Sequence, residues 1–240
     1  MIRLLALALI GTLVAGGWAA EPAGGKILVF SKTAGFRHDS IPVGVEAIKR
    51  LAEAHGWQVE ATEDGGAFTD GRLEGVSVVV FLNTTGDVLD ATGEAAFERY
   101  LRRGGGYVGV HAANDTEYDW PWYGKLVGAY FKSHPAIQDA SIVVLDRNHA
   151  ATRAWPERFT HRDEWYNFRA NPVGVRVLAR VDETTYKGGT HDNDHPIAWC
   201  HEYDGGRAFY TGLGHTKECF ADERFLLHLW GGMAWAAGRE

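Results

Sequence analysis

The sequence predicts a single α/β domain that is built on a mostly parallel sheet. Three short apolar runs support this prediction: KILVFS at 26–31, VSVVVFLN at 76–83 and GGGYVGV at 104–110. Runs without polar interruption are typical of strands that are covered on both faces, as in parallel sheets. Helical patterns alternate with these runs. The resulting order β-α-β-β-α-β predicts right-handed crossovers between parallel strands.

The first helix has recognisable ends. Pro42 suits the first turn of a helix, and Asp39 or Ser40 is the expected cap. We expect this helix to run to about His55 and to stop at Gly56, since glycine commonly follows the last helical residue.

A second helix is predicted between the second and third apolar runs. Thr92 is its expected cap, and the helix would run from about Gly93 to Arg103. Acidic residues lie early in this stretch and arginines lie late, which complements the helix dipole. Gly104 would end the helix.

The second half of the chain is less regular. We expect a short helix at 120–130, a loop at 148–160 and a final helix that starts at Ala221 or Asp222 and runs to about residue 236. A turn at Gly205-Gly206 predicts a hairpin. Further strands are predicted at 57–62, 141–145, 175–181, 197–203 and 207–213.

The first twenty residues match a secretory signal peptide. MIRLLALALIGTLVAGGWAA has one early arginine, an apolar run to about residue 14 and small residues before Glu21-Pro22. The apolar run falls short of the roughly 20 residues that span a bilayer, which argues against an uncleaved anchor. We therefore expect cleavage near Ala20 and a secreted or periplasmic domain at 21–240 that has no membrane contact after cleavage.

Charge and cysteine content argue against two classes of function. The formal net charge is −7, and no cluster of lysines and arginines is present, which argues against binding to nucleic acid. The two cysteines, Cys200 and Cys219, allow one accessory disulfide at most. Neither lies in a strand-to-helix elbow, so a catalytic thiol is not expected. The sequence indicates no oligomeric state.

His111 ends the third apolar run and is the first candidate for a functional site. The carboxyl ends of the strands form the ligand crevice in open α/β sheets. A lone buried histidine more often only bonds to a neighbouring backbone group, but a polar and aromatic loop follows at 114–120, as in a pocket wall. Arg37 and His38 follow the first strand and belong to the same edge.

Five segments of the chain resemble the trehalose-utilisation, or ThuA-like, family, and they occur in the order of that family. They are GFRHDSI, GVHAANDTEYDWPWYGKLVGAYFKSHP, DEWYNF, HPIAW and GRAFYTGLGHT. The resemblance extends from about Lys26 to Ala236. It implies a fold like that of the class I glutamine amidotransferases, a flavodoxin-like three-layer sandwich with helices on both faces of a mostly parallel sheet.

The resemblance does not imply amidotransferase activity. Amidotransferases of this fold carry a cysteine nucleophile on the turn after a central strand, and His111 takes that place here. Imidazole cannot form the thioester that glutamine hydrolysis by this route requires. We expect the fold to be shared and the amidotransferase chemistry to be absent.

Histidines near the predicted strand ends suit a divalent metal site. Two or three neutral imidazoles with one carboxylate are a good set of ligands for a transition metal, usually zinc. The expected ligands are His111, His134 and His215. The chain has no H-E-x-x-H motif, so the ligands would have to come from distant loops.

A metal-free site is the alternative. Imidazole transfers protons readily near neutral pH, and a carboxylate can orient it. In this interpretation His111, His38, Glu164 and Asp115 are catalytic, and Glu164 or Asp163 could orient the histidine.

The resemblance implies a small carbohydrate substrate, and family context suggests a glycoside that is oxidised to a ketone at the 3-position. The ketone acidifies the adjacent C–H group, so a histidine can remove that proton while a metal or imidazole stabilises the enediolate. Loss of the aglycone from that intermediate cleaves the glycosidic bond. We therefore expect an enzyme that cleaves or isomerises the glycoside. Residues expected to contact the sugar are Trp120, Trp122, Tyr123, Trp165, Tyr166 and Arg37.

Two other functions stay open. One is a sugar-binding protein without activity, and the other is an interaction module that uses the same scaffold. An enzyme should lose rate far more than affinity when His111 is replaced, whereas a binding protein should not.

Overall fold

A computed structural model describes residues 24–239, in which a nine-stranded sheet lies between two layers of helices. The expected signal peptide at 1–20 lies outside the described residues. The strands are β1 Lys26–Phe30, β2 Gln58–Thr62, β3 Val78–Leu82, β4 Gly106–Val110, β5 Phe131–Ser133, β6 Gln138–Val144, β7 Arg158–Asp163, β8 Asn167–Phe168, β9 Arg176–Asp182, β10 Pro196–Tyr203 and β11 Gly206–Thr211. The helices are α1 Ile41–Ala54, α2 Asp70–Leu73, α3 Ala91–Arg102, α4 Pro121–Val127 and α5 Glu223–Ala236.

The large sheet has the order β2-β1-β3-β4-β11-β10-β9-β6-β7, and the short strands β5 and β8 pair separately. Its first five strands are mutually parallel. The remaining neighbours pair in antiparallel fashion, so that β10 and β6 run against the other seven strands. This mostly parallel sheet confirms the predicted fold class.

The core lies on both faces of the sheet, because alternate residues of each central strand point to opposite sides. Ile27 and Val29 of β1 pack with α1 and α5 on one face. Leu28 and Phe30 pack with α3 and α4 on the other face. All four side chains are fully buried, as the uninterrupted apolar run predicts.

Three predicted boundaries are wrong. Helix α3 begins at Ala91, and its cap is Asp90, whose carboxylate accepts a hydrogen bond from the backbone N–H of Gly93 at 2.8 Å. Thr92, the predicted cap, lies inside the helix. Residues 158–160, predicted as loop, begin β7, an edge strand whose alternating polar residues carry little apolar signal.

The hairpin between β10 and β11 is present, but its turn lies one residue earlier than predicted. Tyr203 pairs with Gly206, so the turn consists of Asp204 and Gly205. Both have positive φ, at 45° and 92°, as a two-residue type I′ turn requires. None of the helices within residues 24–239 has the length and apolarity that a bilayer span needs.

Pairing continues past the ends of three central strands. Thr33, after β1, bridges to Thr85, after β3, and Gly86 bridges to Thr116, after β4. The loops at this edge are therefore bonded to one another as well as to the strands. They meet at the carboxyl ends of the parallel strands, where ligands bind in open α/β sheets.

Candidate functional site

His111 directly follows β4 and has a left-handed backbone, with φ at 47°. A non-glycine residue in this region costs on the order of 1–3 kcal/mol, and it persists where the surroundings fix it. Here the Tyr210 hydroxyl donates to the His111 carbonyl at 2.8 Å. The ring Nδ1 lies 2.9 Å from the carbonyl oxygen of Gly212, so Nδ1 carries the proton and Nε2 presents its lone pair.

Two further imidazoles face His111. His38 lies in the loop after β1, and His215 lies in the loop after β11. The ring centroids are 5.1 Å apart for His38 and His111, and 5.0 Å apart for His38 and His215. His111 and His215 are also 5.0 Å apart. Three loops that are distant in sequence thus bring their histidines together at one edge of the sheet.

Glu164 completes the group from the end of β7. Its Oε2 lies 3.5 Å from His111 Nε2 and 3.1 Å from His215 Nδ1. One ligand atom each from His38, His111, Glu164 and His215 lies within 4.8 Å of the other three. Three imidazoles and one carboxylate form a donor set that could bind a divalent transition metal.

His38 has an unpaired nitrogen. Its Nδ1 is buried and has no hydrogen-bond partner in the structure. Burial, together with the neighbouring His111 and His215, lowers the pKa of His38 to about 3, so the ring is neutral at neutral pH. A buried nitrogen without a partner is costly, and a neutral imidazole is the form that coordinates a metal. The residues therefore fit a bound cation.

The charge of the site comes from Glu164. Burial alone would raise its pKa, but hydrogen bonds and charge interactions with His111 and His215 hold that pKa well below its ordinary value. Burial would lower the pKa of His215, but the bond to Glu164 outweighs it and raises that pKa. Glu164 is therefore an anion among imidazoles, which favours a cation in the centre.

The sequence matches the family model for trehalose utilisation, ThuA, over residues 26–236. The chain belongs to this family. The match confirms the resemblance inferred from the five segments. Among curated proteins none matches the chain.

Solved structures of ThuA-like proteins have the same fold. One from Bacteroides uniformis is 26% identical, with a TM-score of 0.76 over 92% of this chain and 95% of its own. One from Parabacteroides merdae is 21% identical, with a TM-score of 0.75 over 89% of this chain and 90% of its own.

His134, a predicted metal ligand, lies outside the four-residue group of this ThuA domain. Its Nδ1 approaches Glu164 Oε1 at 2.9 Å and the carbonyl oxygen of Pro135 at 3.0 Å. Its side chain is 43% exposed. The segment after β5 brings it to the other carboxylate oxygen of Glu164, whereas His38 takes the expected place beside His111 and His215.

Asp115 ends the short turn that His111 begins. The hydroxyl of Tyr118 donates to its carboxylate, and the guanidinium of Arg169 lies 4.1 Å from the centroid of the Tyr118 ring. Burial raises the pKa of Asp115. The Asp115 carboxylate therefore takes up a proton more readily than a solvated aspartate does.

Of the predicted aromatic contacts, Tyr166 lies at the site. Its ring centroid is 4.0 Å from that of His111 and 5.8 Å from that of His134. Tyr166 is 3% exposed, and Tyr123 and Trp165 are fully buried in the structure. The Tyr123 hydroxyl donates to the carbonyl of Ala113, and the Trp165 indole donates to the carbonyl of Gln138.

Trp120, Trp122 and Arg37 lie away from the four-residue group in this structure, where they have other partners. Trp120 is buried and donates to Glu98 of α3 at 3.2 Å. Trp122 donates to Asp204 at 2.7 Å, in the turn at the opposite edge of the sheet. Arg37 is exposed and pairs with Glu63 through both guanidinium nitrogens, at 3.0 and 2.7 Å.

Two positioning residues lie next to the group: Asp163, which was predicted as a carboxylate that could orient a histidine, and Asn83, which was not predicted. Asp163 is fully buried, and its carboxylate accepts backbone N–H bonds from Glu164 at 3.0 Å, Gly214 at 2.8 Å and Thr216 at 3.2 Å. It therefore holds the chain on both sides of His215. Asn83 ends β3 and donates to the Gly214 carbonyl at 3.0 Å. A polar residue at the end of each strand was the available signal.

Phe36 was also missed. Its side chain is 67% exposed, which is unusual for a large apolar residue, and its ring centroid lies 4.9 Å from that of His38. It therefore offers an aromatic face next to the four-residue group.

Proposed function

We propose that this ThuA-family chain is a carbohydrate-processing enzyme that cleaves or isomerises a 3-keto-glycoside by metal-assisted proton abstraction. The observation that supports the proposal is the convergence of three imidazoles and Glu164 on one point, with the Nδ1 atom of His38 buried and unpaired. The family's link to trehalose utilisation supports a carbohydrate substrate.

His38, His111, His215 and Glu164 would hold the cation, and their nitrogen-rich donor set favours zinc. A cation held there would polarise the ketone oxygen of the sugar and so acidify the adjacent C–H group. The chain fixes the ligands before substrate arrives: Gly212 sets the tautomer of His111, and Asp163 holds the backbone on both sides of His215. Such outer bonds orient ligands and tune affinity.

His134 is the proposed base. Both acceptors near its Nδ1, a carboxylate oxygen of Glu164 and the Pro135 carbonyl, require that this nitrogen carries the proton. Its Nε2 therefore keeps a lone pair, and the half-exposed ring can be reached by a substrate. Imidazole suits proton removal near neutral pH.

Asp115 is the proposed acid. Burial raises the pKa of Asp115, and in this proposal its carboxyl gives a proton to the oxygen of the departing aglycone. The C2–H bond and the bond from C1 to the aglycone oxygen break, and a C1–C2 double bond forms in the sugar. Addition of water to this product completes a hydrolysis. Phe36, whose side chain lies beside His38 and is 67% exposed, would stack on the sugar ring.

We also propose that the enzyme is exported, since the pattern of residues 1–20 suits a signal peptide. The substrate would then be met outside the cytoplasm.

The test follows proton exchange. The zinc-loaded protein is incubated with a 3-keto-glucoside in deuterium oxide, and deuterium at C2 and release of the aglycone are followed by NMR and mass spectrometry. We expect exchange and release in the wild type, and loss of both in His134→Asn. In Asp115→Asn, we expect exchange to persist and release to slow. Sugar binding without exchange or release would instead support a binding protein without activity.

A further inference from the structure

A second group of ligand-type side chains lies next to the four-residue group. One atom each from His161, Asp163 and Cys219 lies within 4.8 Å of the other two, and all three residues are buried. The Cys219 sulfur is 3.5 Å from His161 Nε2, and Asp163 Oδ2 is 3.9 Å from the same nitrogen. Imidazole, carboxylate and thiol thus face a common point.

Two of the three side chains, those of His161 and Asp163, have outer contacts of the kind that orient metal ligands. Asp222 Oδ2 lies 3.6 Å from the Nδ1 of His161, which turns Nε2 toward Cys219 and Asp163. The carboxylate of Asp163 accepts three backbone N–H bonds. A carboxylate behind the ligating histidine and hydrogen bonds to the ligating carboxylate are the usual outer contacts of zinc sites.

The Cys219, His161 and Asp222 arrangement also has the order of a nucleophile, a base and an orienting acid. That interpretation fails on access, because Cys219 is 1% exposed and cannot reach a substrate carbon. Burial against Asp163 also raises the pKa of the thiol, whereas catalytic thiols need a lowered one. Of the three residues His161, Asp163 and Cys219, His161 is the most exposed, at 8%.

We propose that His161, Asp163 and Cys219 form a second divalent-metal site, whose ligands include a sulfur atom. A thiolate with an imidazole and a carboxylate suits zinc and its substitutes. Binding displaces the thiol proton to solvent, so the sulfur coordinates as thiolate. The site does not depend on the proposed sugar chemistry.

The second site is connected to the first group through the backbone. Asp163 is joined to Glu164 by a peptide bond, and it bonds to the residues on both sides of His215. Occupancy of the second site therefore holds two ligands of the first in place.

The test uses cobalt(II) as a probe, since thiolate ligation gives an intense sulfur-to-cobalt absorption band in the near ultraviolet. The four-residue group contains no sulfur, so this band reports the second site alone. Full-length mature protein is titrated with cobalt, and the band and the metal stoichiometry are measured. We expect the band and two equivalents in the wild type, and one equivalent without the band in Cys219→Ser.

Matched variants separate the outcomes. Cys200→Ser is the control, because the Cys200 sulfur is also buried and lies 3.6 Å from His149 Nε2; it should keep the band. His38→Ala should lose the equivalent at the first group and keep the band. A wild type without the band overturns the proposal, and so does a band that survives in Cys219→Ser. Because the wild-type spectrum is itself decisive, a variant that fails to fold does not remove the test.

Discussion

His228 makes the stability of the fold sensitive to acid. It lies in α5, fully buried, with its ring stacked 4.0 Å from that of Trp155 and its Nδ1 2.9 Å from the carbonyl oxygen of Ala151. Burial lowers its pKa from 6.5 to about 3. Between these values the unfolded chain takes up a proton at this position and the folded chain does not. The folded state therefore loses stability as the pH falls below 6.5.

The size of the effect follows from proton linkage. One extra proton on the unfolded chain changes the free energy of unfolding by about 1.4 kcal/mol per pH unit, which is about 2 kcal/mol between pH 6.5 and pH 5. The variant His228→Asn keeps a donor for Ala151 and removes the titration. We expect its free energy of unfolding to fall by about 2 kcal/mol less than that of the wild type over this interval.

Urea unfolding at several pH values measures the difference. Comparing each protein with itself cancels the constant loss from the missing ring, and the other buried histidines contribute equally to both. His55→Asn, which removes an exposed imidazole, is the matched control and should follow the wild type. Parallel pH profiles for wild type and His228→Asn would refute the reasoning.

Three further predictions concern the site and the helix cap. Glu164→Gln removes the anion of the first group without changing its size, so calorimetry should show a loss of zinc affinity of at least the roughly 10- to 100-fold that outer-shell changes produce; unchanged affinity would contradict the ligand set. Asp90→Ala should cost about 1 kcal/mol in urea unfolding, and Thr92→Ala, inside the helix, much less; the reverse order would restore the predicted cap. Phe36→Ala should lower kcat/KM for the keto-glycoside by about tenfold, the equivalent of a stacking loss of roughly 1–1.5 kcal/mol, and Trp122→Ala should leave it unchanged; equal losses would place the substrate elsewhere.

The sequence carried enough information for the sheet and for all four members of the first group, although His134 was expected as a metal ligand and His38 as a catalytic residue. Buried parallel strands need apolar residues on both faces, and that demand is visible in KILVFS and GGGYVGV. His38, His111 and His215 each follow such a strand, and parallel strands end at one edge. The proximity of the rings follows from topology alone.

The directions of the aromatic side chains could not be predicted from the sequence, because they depend on contacts between residues that are distant along the chain. Trp165 and Tyr166 are neighbours, yet one donates to Gln138 in the core and the other lies against His111, because adjacent side chains of an extended segment point in opposite directions. Whether a ring meets a sugar or the core depends on which of these directions faces inward. Asp163 was expected only as a carboxylate that could orient a histidine, because its actual partners are backbone groups about fifty residues away.

The bridges from Thr33 to Thr85 and from Gly86 to Thr116 connect the loops after β1, β3 and β4, and two of these loops carry His38 and His111. Adding or deleting a residue in any of these three loops would therefore shift the imidazoles of His38 and His111 together. The turn at Asp204 and Gly205, at the far edge, has no such linkage to the histidines. Peptide tags or reporter insertions placed in this turn should leave the positions of the histidine rings unchanged. The turn is therefore a suitable insertion site for engineering the protein.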